Sequence, residues 1–374
     1  MDEFQARLKG RCYVVGGAVR DTLMGGTPGD RDWVVVGSSP QAMLAAGFRA
    51  VGRDFPVFLH PATGEEYALA RTERKSAPGY HGFVFHAAPD VTLEQDLARR
   101  DLTVNAMARG DDGRLVDPYG GLRDLQAKVL RHVSPAFAED PVRLLRLARF
   151  AARWPEFTVA EETMALMRRL VDEGEVDALV PERVWQELSR GLMEARPSRM
   201  LQVLTACAAL PRLLPGVSHT PALEQALDRA ADADFALPVR YALLAPGDEA
   251  LAARLKVPTD CRELALLAGR EGQALPSSTR LEPRSTLALL ERCDAFRRPD
   301  RFADLLRAGV CQAGAAVPPE PAAWPPARVL TSALARAGQV DTAAVAAAAA
   351  ARGARGPDIG RAIHEARRQA LDGG

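Results

Sequence analysis

Over the first 130 residues the apolar positions come in short β-branched or aromatic runs broken by glycine; from Asp140 onward they recur at helical spacing. Tyr13-Val14-Val15, Trp33-Val34-Val35-Val36, Val57-Phe58-Leu59 and Tyr67-Ala68-Leu69 predict strands, with short helices over Ala18 to Met24 and Pro40 to Ala46. Further on, Pro141 to Trp154, Ala160 to Asp172, Pro181 to Glu194 and Ser198 to Ala208 predict long helices. Breaks rich in proline and glycine fall at Leu214 to Pro221 and Val317 to Pro326, and the last fifty residues read as Ala- and Arg-rich helix. The expected class is α+β. A head with a mixed sheet and helices spans residues 1–137, an all-helical neck 138–215, and a helical body and tail 216–374.

Composition narrows this picture without naming a function. The 374 residues are 47% hydrophobic and 26% charged, ordinary values for a globular chain. Lys and Arg total 48 against 48 for Asp and Glu, so bulk basicity does not argue for a nucleic-acid partner. Only Lys9, Lys75, Lys128 and Lys256 are lysines, which makes nearly every cation an arginine, the side chain suited to phosphate and nucleotide recognition. Five cysteines without C-x-x-C spacing argue against a disulfide framework or zinc knuckle and for a reducing compartment. The charged N-terminus has no apolar signal-like core, and Val345 to Ala351 is too short to span a bilayer, so a cytoplasmic location without membrane attachment is expected.

The chemistry is concentrated in Tyr13 to Gly37, YVVGGAVRDTLMGGTPGDRDWVVVG. There a predicted strand runs into Gly16-Gly17 and then into a helix carrying Arg20 and Asp21, a turn that lets a ligand approach the backbone closely. Asp30 and Asp32 flank Arg31, and strand periodicity would put both carboxylates on one face, where a shared Mg²⁺ would offset their repulsion. D-x-D is also frequent in plain polar turns, so the glycine turn upstream is what favours the metal reading. Farther along, Glu139-Asp140-Pro141 predicts an acidic N-cap followed by proline at the first helical position. Arg143, Arg146, Arg149 and Arg153 then recur on one stripe with no interleaved acid, either as a solvated face or as a seat for an anion.

The ordered motifs GGAVRD, DRDWVVVG, RRDLTVNAMA, DPYGGLRDL and EDPVRLLRLARF resemble the bacterial class II tRNA nucleotidyltransferases, or CCA-adding enzymes, most of all their proteobacterial branch. The likeness runs from Tyr13 to about Leu214 and takes in EEYALARTERKS and PERVWQEL. It implies a polymerase-β-like nucleotidyltransferase head and Mg²⁺-dependent addition of CCA to the tRNA 3′ end from CTP and ATP. It also implies residue roles. Asp30 and Asp32 match the catalytic, metal-binding carboxylates; Gly17, Arg20 and Arg100 match nucleotide contacts; Asp101 matches the residue that senses the ribose 2′-hydroxyl. Asp140 and Arg143 match the pair that reads ATP and CTP base edges, Arg146 and Arg149 match further nucleotide contacts, and Arg71 to Lys75 falls in a flexible loop linked to nucleotide switching.

Proteobacterial members often carry a C-terminal HD phosphohydrolase domain. Here no His-Asp dipeptide occurs, and beyond residue 214 only His219 and His364 remain, so phosphohydrolase activity is expected to be absent and the region to be a shortened helical remnant. The four histidines of the head, His60, His81, His86 and His132, are expected to be structural or superficial. A poly(A) polymerase, a partial CC- or A-adding enzyme and a catalytically silent RNA-binding relative are the competing readings. Oligomeric state stays open between monomer and weak dimer.

Overall fold

The computed structural model describes residues 3–27, 29–51, 57–75, 83–86, 88–314 and 321–372. The chain divides into two compact units, one of residues 1–184 and 203–213 and the other of residues 185–202 and 214–374.

The first unit is built on a mixed seven-stranded sheet. Its strands are β1 (Arg11–Val15), β2 (Asp32–Val36), β3 (Arg49–Val51), β4 (Val57–Leu59) and β5 (Glu66–Leu69), completed later in the chain. A separate antiparallel hairpin follows, of β6 (Thr72–Lys75) and β7 (Phe83–His86), and β8 (Ala108–Gly110) and β9 (Leu115–Val116) close the sheet in the order β3-β4-β5-β2-β1-β8-β9. β2 lies in the middle, antiparallel to β1 and parallel to β5. Its Trp-Val-Val-Val run is the sequence of a strand covered on both faces. Val35 packs with Met43, Phe48, Phe58 and Tyr67, whereas Val34 packs with Val15, Leu97, Ala106 and Ala108 on the opposite face. His60 is buried beside Phe48 and Tyr67, and its Nδ1 accepts from the Ala62 and Thr63 amides, a structural role.

The predicted helices form as Gly17–Leu23, Pro40–Ala45, Val142–Arg153, Glu161–Asp172, Pro181–Leu192 and Pro197–Ala206. Three expectations change. Asp30 lies in the bend before β2, which begins at Asp32, so strand periodicity does not govern the pair. Asp140 is not the N-cap: Pro141 takes that position, the helix starts at Val142, and the Asp140 carboxylate accepts from the Val142 amide at 3.3 Å from one residue farther out. Of the segment expected to be a loop, Thr72–Lys75 is strand β6, paired with β7; such short strands give too few residues for a periodicity to show. His81 and part of the Val317–Pro326 break lie outside the described residues.

The second unit is helical, around Tyr241, Leu264, Leu290, Phe302, Leu306 and Leu330. Arg240, 2% exposed, donates to the backbone carbonyls of Phe235, Leu192 and Glu194, filling acceptors that helix ends leave open. Cys261, Cys293 and Cys311 are buried free thiols, each pushed up to about 12 by burial, which makes them packing residues rather than nucleophiles. Among the described residues no helix is long and apolar enough to cross a membrane.

Candidate active site

A cleft of about 640 Å³ opens in the first unit where the β1 turn, the start of β2 and the Val142–Arg153 helix meet. The register explains how the first two come together. Val15, the last residue of β1, pairs with Asp32, the first of β2, and Asp32 pairs on its other side with Glu66 of β5. The chain leaves β1 through Gly16 at φ 70°, ψ −129°, a conformation suited to glycine. A Cβ there would stand 3.0 Å from Arg100 Nη1, the end of a flexible side chain, so it is the backbone conformation that calls for glycine at this position.

Of the residues picked out from the sequence, Gly17, Arg20, Asp32, Arg100, Asp101, Asp140, Arg143, Arg146 and Arg149 all line this cleft. Asp30 does not, although it is near enough to influence Asp32. The Asp32 carboxylate is open to solvent, but the packed wall behind it pushes its pKa up; Arg100 counters that and Asp30 adds to it. Among the described residues no cluster of three or more His, Cys, Asp or Glu is arranged to cage a metal. Asp32 nonetheless faces the cleft with Asp30 close behind it in the bend, and carboxylate oxygens of this kind suit a hard divalent cation that keeps water and phosphate as its other ligands.

The arginine stripe is only in part a solvated face, with Arg146 and Arg153 keeping 37% and 40% of their side chains exposed. Arg143 and Arg149 are buried, and acids from elsewhere in the unit offset part of its charge: Asp101 pairs with Arg146 at 2.9 Å and Asp21 with Arg153 at 3.5 Å. Aromatic faces take another share, with Arg149 over the Phe150 ring at 4.6 Å and Arg153 over Trp154 at 5.2 Å, and Arg20 of the Gly17–Leu23 helix also lies over Trp154, at 4.6 Å. Arg20 is itself buried and also donates to Asp21.

Asp101 is 7% exposed and accepts from Arg146, from Asn105 Nδ2 at 3.0 Å and from the Leu102 amide at 2.8 Å. Burial works to raise its pKa, but Arg146, Asn105 and Arg143 outweigh it and hold it down at about 2. The folded value is depressed, so the stabilisation is complete above the unfolded pKa near 4 and is lost as pH falls toward 2, roughly 2 kcal/mol in all. Urea melts between pH 5 and pH 2 are therefore expected to show a steeper loss of stability for the wild type than for Asp101→Asn; parallel losses would contradict the assignment.

Several lining residues were not visible in the sequence pattern. Arg183, on the Pro181–Leu192 helix, grips the Asp140 carboxylate with both terminal nitrogens, at 3.0 and 2.7 Å. Arg143 Nη1 donates to the Ala136 carbonyl at 2.8 Å, so both members of the Asp140/Arg143 pair are held by neighbours. Asn105, Arg99 and Glu66 also line the cleft, as does Arg71 from the stretch expected to be a flexible loop. PERVWQEL carried the only hint of Arg183, and a charge 43 residues downstream of Asp140 becomes its partner only through tertiary folding.

Residues 12–131 match the family model described as "Poly A polymerase head domain", and residues 156–220 match "Probable RNA and SrmB- binding site of polymerase A". The chain is 55% identical over 405 aligned residues to the "Multifunctional CCA protein" of Leptothrix cholodnii, with 96% of each chain covered. It is 51% identical over 401 residues to that of Azoarcus sp., again with 96% of each covered. Among solved structures the fold is similar to "The structure of CCA-adding enzyme apo form II" (TM-score 0.75, 22% identity, 99% of this chain and 90% of that one). It is also similar to "Thermotoga maritima CCA-adding enzyme complexed with tRNA_CCA" (TM-score 0.73, 21% identity, 100% and 90%). With more than half of all positions identical across nearly the whole of a curated relative, this chain belongs to the class II tRNA nucleotidyltransferases, the CCA-adding enzymes.

Proposed function

We propose that this chain adds C, C and A to the 3′ end of tRNA from CTP and ATP, releasing pyrophosphate at each step and using no nucleic-acid template. The observation that carries the reading is the convergence on one cleft of Asp32, the Gly16-Gly17 turn, Arg100, Asp101 and the Asp140–Arg149 stripe, drawn from motifs more than a hundred residues apart. High identity to proteins named for CCA supports it. The division of labour follows the expected domains, with catalysis in residues 1–137, nucleotide selection in 138–215, and the helical remainder, 216–374, serving tRNA contact or packing. Hydrolysis of phosphoesters by an HD centre is not part of this function, and the cytoplasm is its compartment.

The family depends on a divalent metal. In this chain Asp30 and Asp32 would hold it, as Mg²⁺. When bound, the cation supplies charge neutralisation for the attacking oxygen and the departing phosphates. The protein's own contribution is mainly positioning and electrostatics, as phosphoryl-type transfer requires. The tRNA terminal hydroxyl attacks the α-phosphorus in line, and the pyrophosphate departs. The glycine turn lets the phosphates approach the backbone, and Arg20, Arg100, Arg146 and Arg149 offset their charge. Asp101, oriented by Arg146 and Asn105, receives the ribose 2′-hydroxyl. Asp140 accepts from the exocyclic amine that cytosine and adenine share, while Arg143 donates to the ring acceptor beside it; guanine and uracil present a carbonyl to Asp140 and are repelled.

The test is incubation with a tRNA lacking its 3′ CCA and labelled CTP or ATP. The expected product gains two C and one A and stops. Long A tails would instead indicate a poly(A) polymerase, a product stopping at CC or accepting only A a partial enzyme, and no addition an RNA-binding relative without catalysis.

A further inference from the structure

Arg71, Arg99 and Arg100 approach the cleft from two separate stretches of backbone, and one carboxylate joins them. Asp96 lies in the Leu93–Ala98 helix, 0% exposed. Arg99 and Arg100 follow it by three and four residues, the spacing that brings side chains over one another at a helix end. Asp96 Oδ1 accepts from Arg99 Nε at 3.1 Å and Nη2 at 2.9 Å, and Oδ2 pairs with Arg100 Nη2 at 3.4 Å. Its Oδ1 also accepts from the Arg71 amide at 3.3 Å, and Arg71 is the residue directly before β6, so the base of the β6–β7 hairpin hangs from the same group.

A fully buried carboxylate is costly to keep ionised unless cations surround it. Here burial pushes its pKa up, and Arg99, Arg100 and Arg71 more than reverse the effect, leaving it below the usual carboxylate range. The benefit appears at the cleft. Arg100 stands with Nη1 over the Gly16 turn and within electrostatic reach of Asp32, and Arg99 lines the wall beside it.

We propose that Asp96 is a positioning residue for nucleotide addition, fixing Arg100 against the glycine turn and Arg99 on the cleft wall so that their charge meets the triphosphate of the incoming nucleotide. This rests on reading the cleft as the nucleotide site. Asp96 touches neither substrate nor the reacting atoms; it acts through the arginines. Without its charge the two guanidinium groups lose their shared anchor and part within the cleft, which weakens capture of the triphosphate more than it slows transfer once the nucleotide is bound.

The experiment compares the wild type, Asp96→Asn and Asp96→Glu in steady-state addition of CTP and ATP to tRNA, with inorganic pyrophosphate as competitor and thermal melts alongside. For Asp96→Asn, KM for both nucleotides and the inhibition constant for pyrophosphate are expected to rise about tenfold, with kcat within about threefold and KM for tRNA unchanged. Asp96→Glu keeps the charge and displaces it by one methylene, so about a threefold rise is expected. If Asp96→Asn fails to fold, Asp96→Glu carries the comparison. Unchanged nucleotide KM and pyrophosphate inhibition, with only kcat or the melting temperature reduced, would show a purely structural carboxylate and overturn the proposal. Direct titration of CTP into each protein without tRNA makes the same comparison independently of turnover. Absence of addition by the wild type would overturn the function reading, while tenfold weaker CTP binding by Asp96→Asn would still uphold the role of Asp96.

Discussion

Replacing Asp32 by asparagine is expected to lower nucleotide addition by on the order of 10³-fold or more, the scale at which single groups steadying a transferring phosphoryl act. The side chain keeps its shape, and the strand its register with Val15 and Glu66, so folding should hold. What goes is the negative charge, and a neutral amide is a poor ligand for a hard divalent cation. Asp32 begins the central strand and lines the cleft beside the glycine turn. Asp30→Ala is expected to abolish addition as well, through loss of the second carboxylate. The check is labelled-CTP addition with tRNA binding measured in parallel: addition should vanish while tRNA affinity changes little. Unimpaired addition by Asp32→Asn would remove this carboxylate from catalysis.

Those two aspartates show how far the sequence reaches. Asp32 could be placed because Trp33 to Val36 is long and apolar enough to announce a central strand, and what precedes such a strand stands at the sheet's rim. Asp30 could not be placed in the same way, since periodicity applies only inside the element. The Val142–Arg153 helix was legible as a helix with a stripe of arginines, but not as a helix buried nearly all round. Spacing along one helix carries no information about Asp101 or Asp21, which arrive from other segments. The same reason hid Arg183 and Asp96. Each looks like an ordinary charge on its own helix and acquires a role only from what the fold sets opposite it. The short strands β3, β6 and β8 were missed because, unlike the equally short β4 and β5, they carry charged residues in place of an apolar run, and β9 because it has only two residues.

The second large effect is expected in base selection rather than rate. Asp140→Ala should reduce discrimination of CTP and ATP against UTP and GTP by about 10²-fold in kcat/KM, since a site built to hydrogen-bond one edge rejects others mainly by leaving charges unpaired. The carboxylate can do this only if it is held still, and Arg183 holds it with two parallel hydrogen bonds. Arg183→Ala therefore leaves the reading group in place but frees it to rotate, and selectivity is expected to fall about tenfold, equivalent to roughly 1.4 kcal/mol. Arg183→Lys should recover little of this, because a point charge on a flexible stem cannot reproduce the planar two-point grip of a guanidinium. The measurement is incorporation of each of the four nucleotides, one at a time, into a tRNA ending before its CCA. Asp140→Ala with wild-type selectivity would show that the base edge is read elsewhere. Full recovery by Arg183→Lys would reduce that arginine to a charge partner and shift the burden of holding Asp140 to its Val142 amide contact.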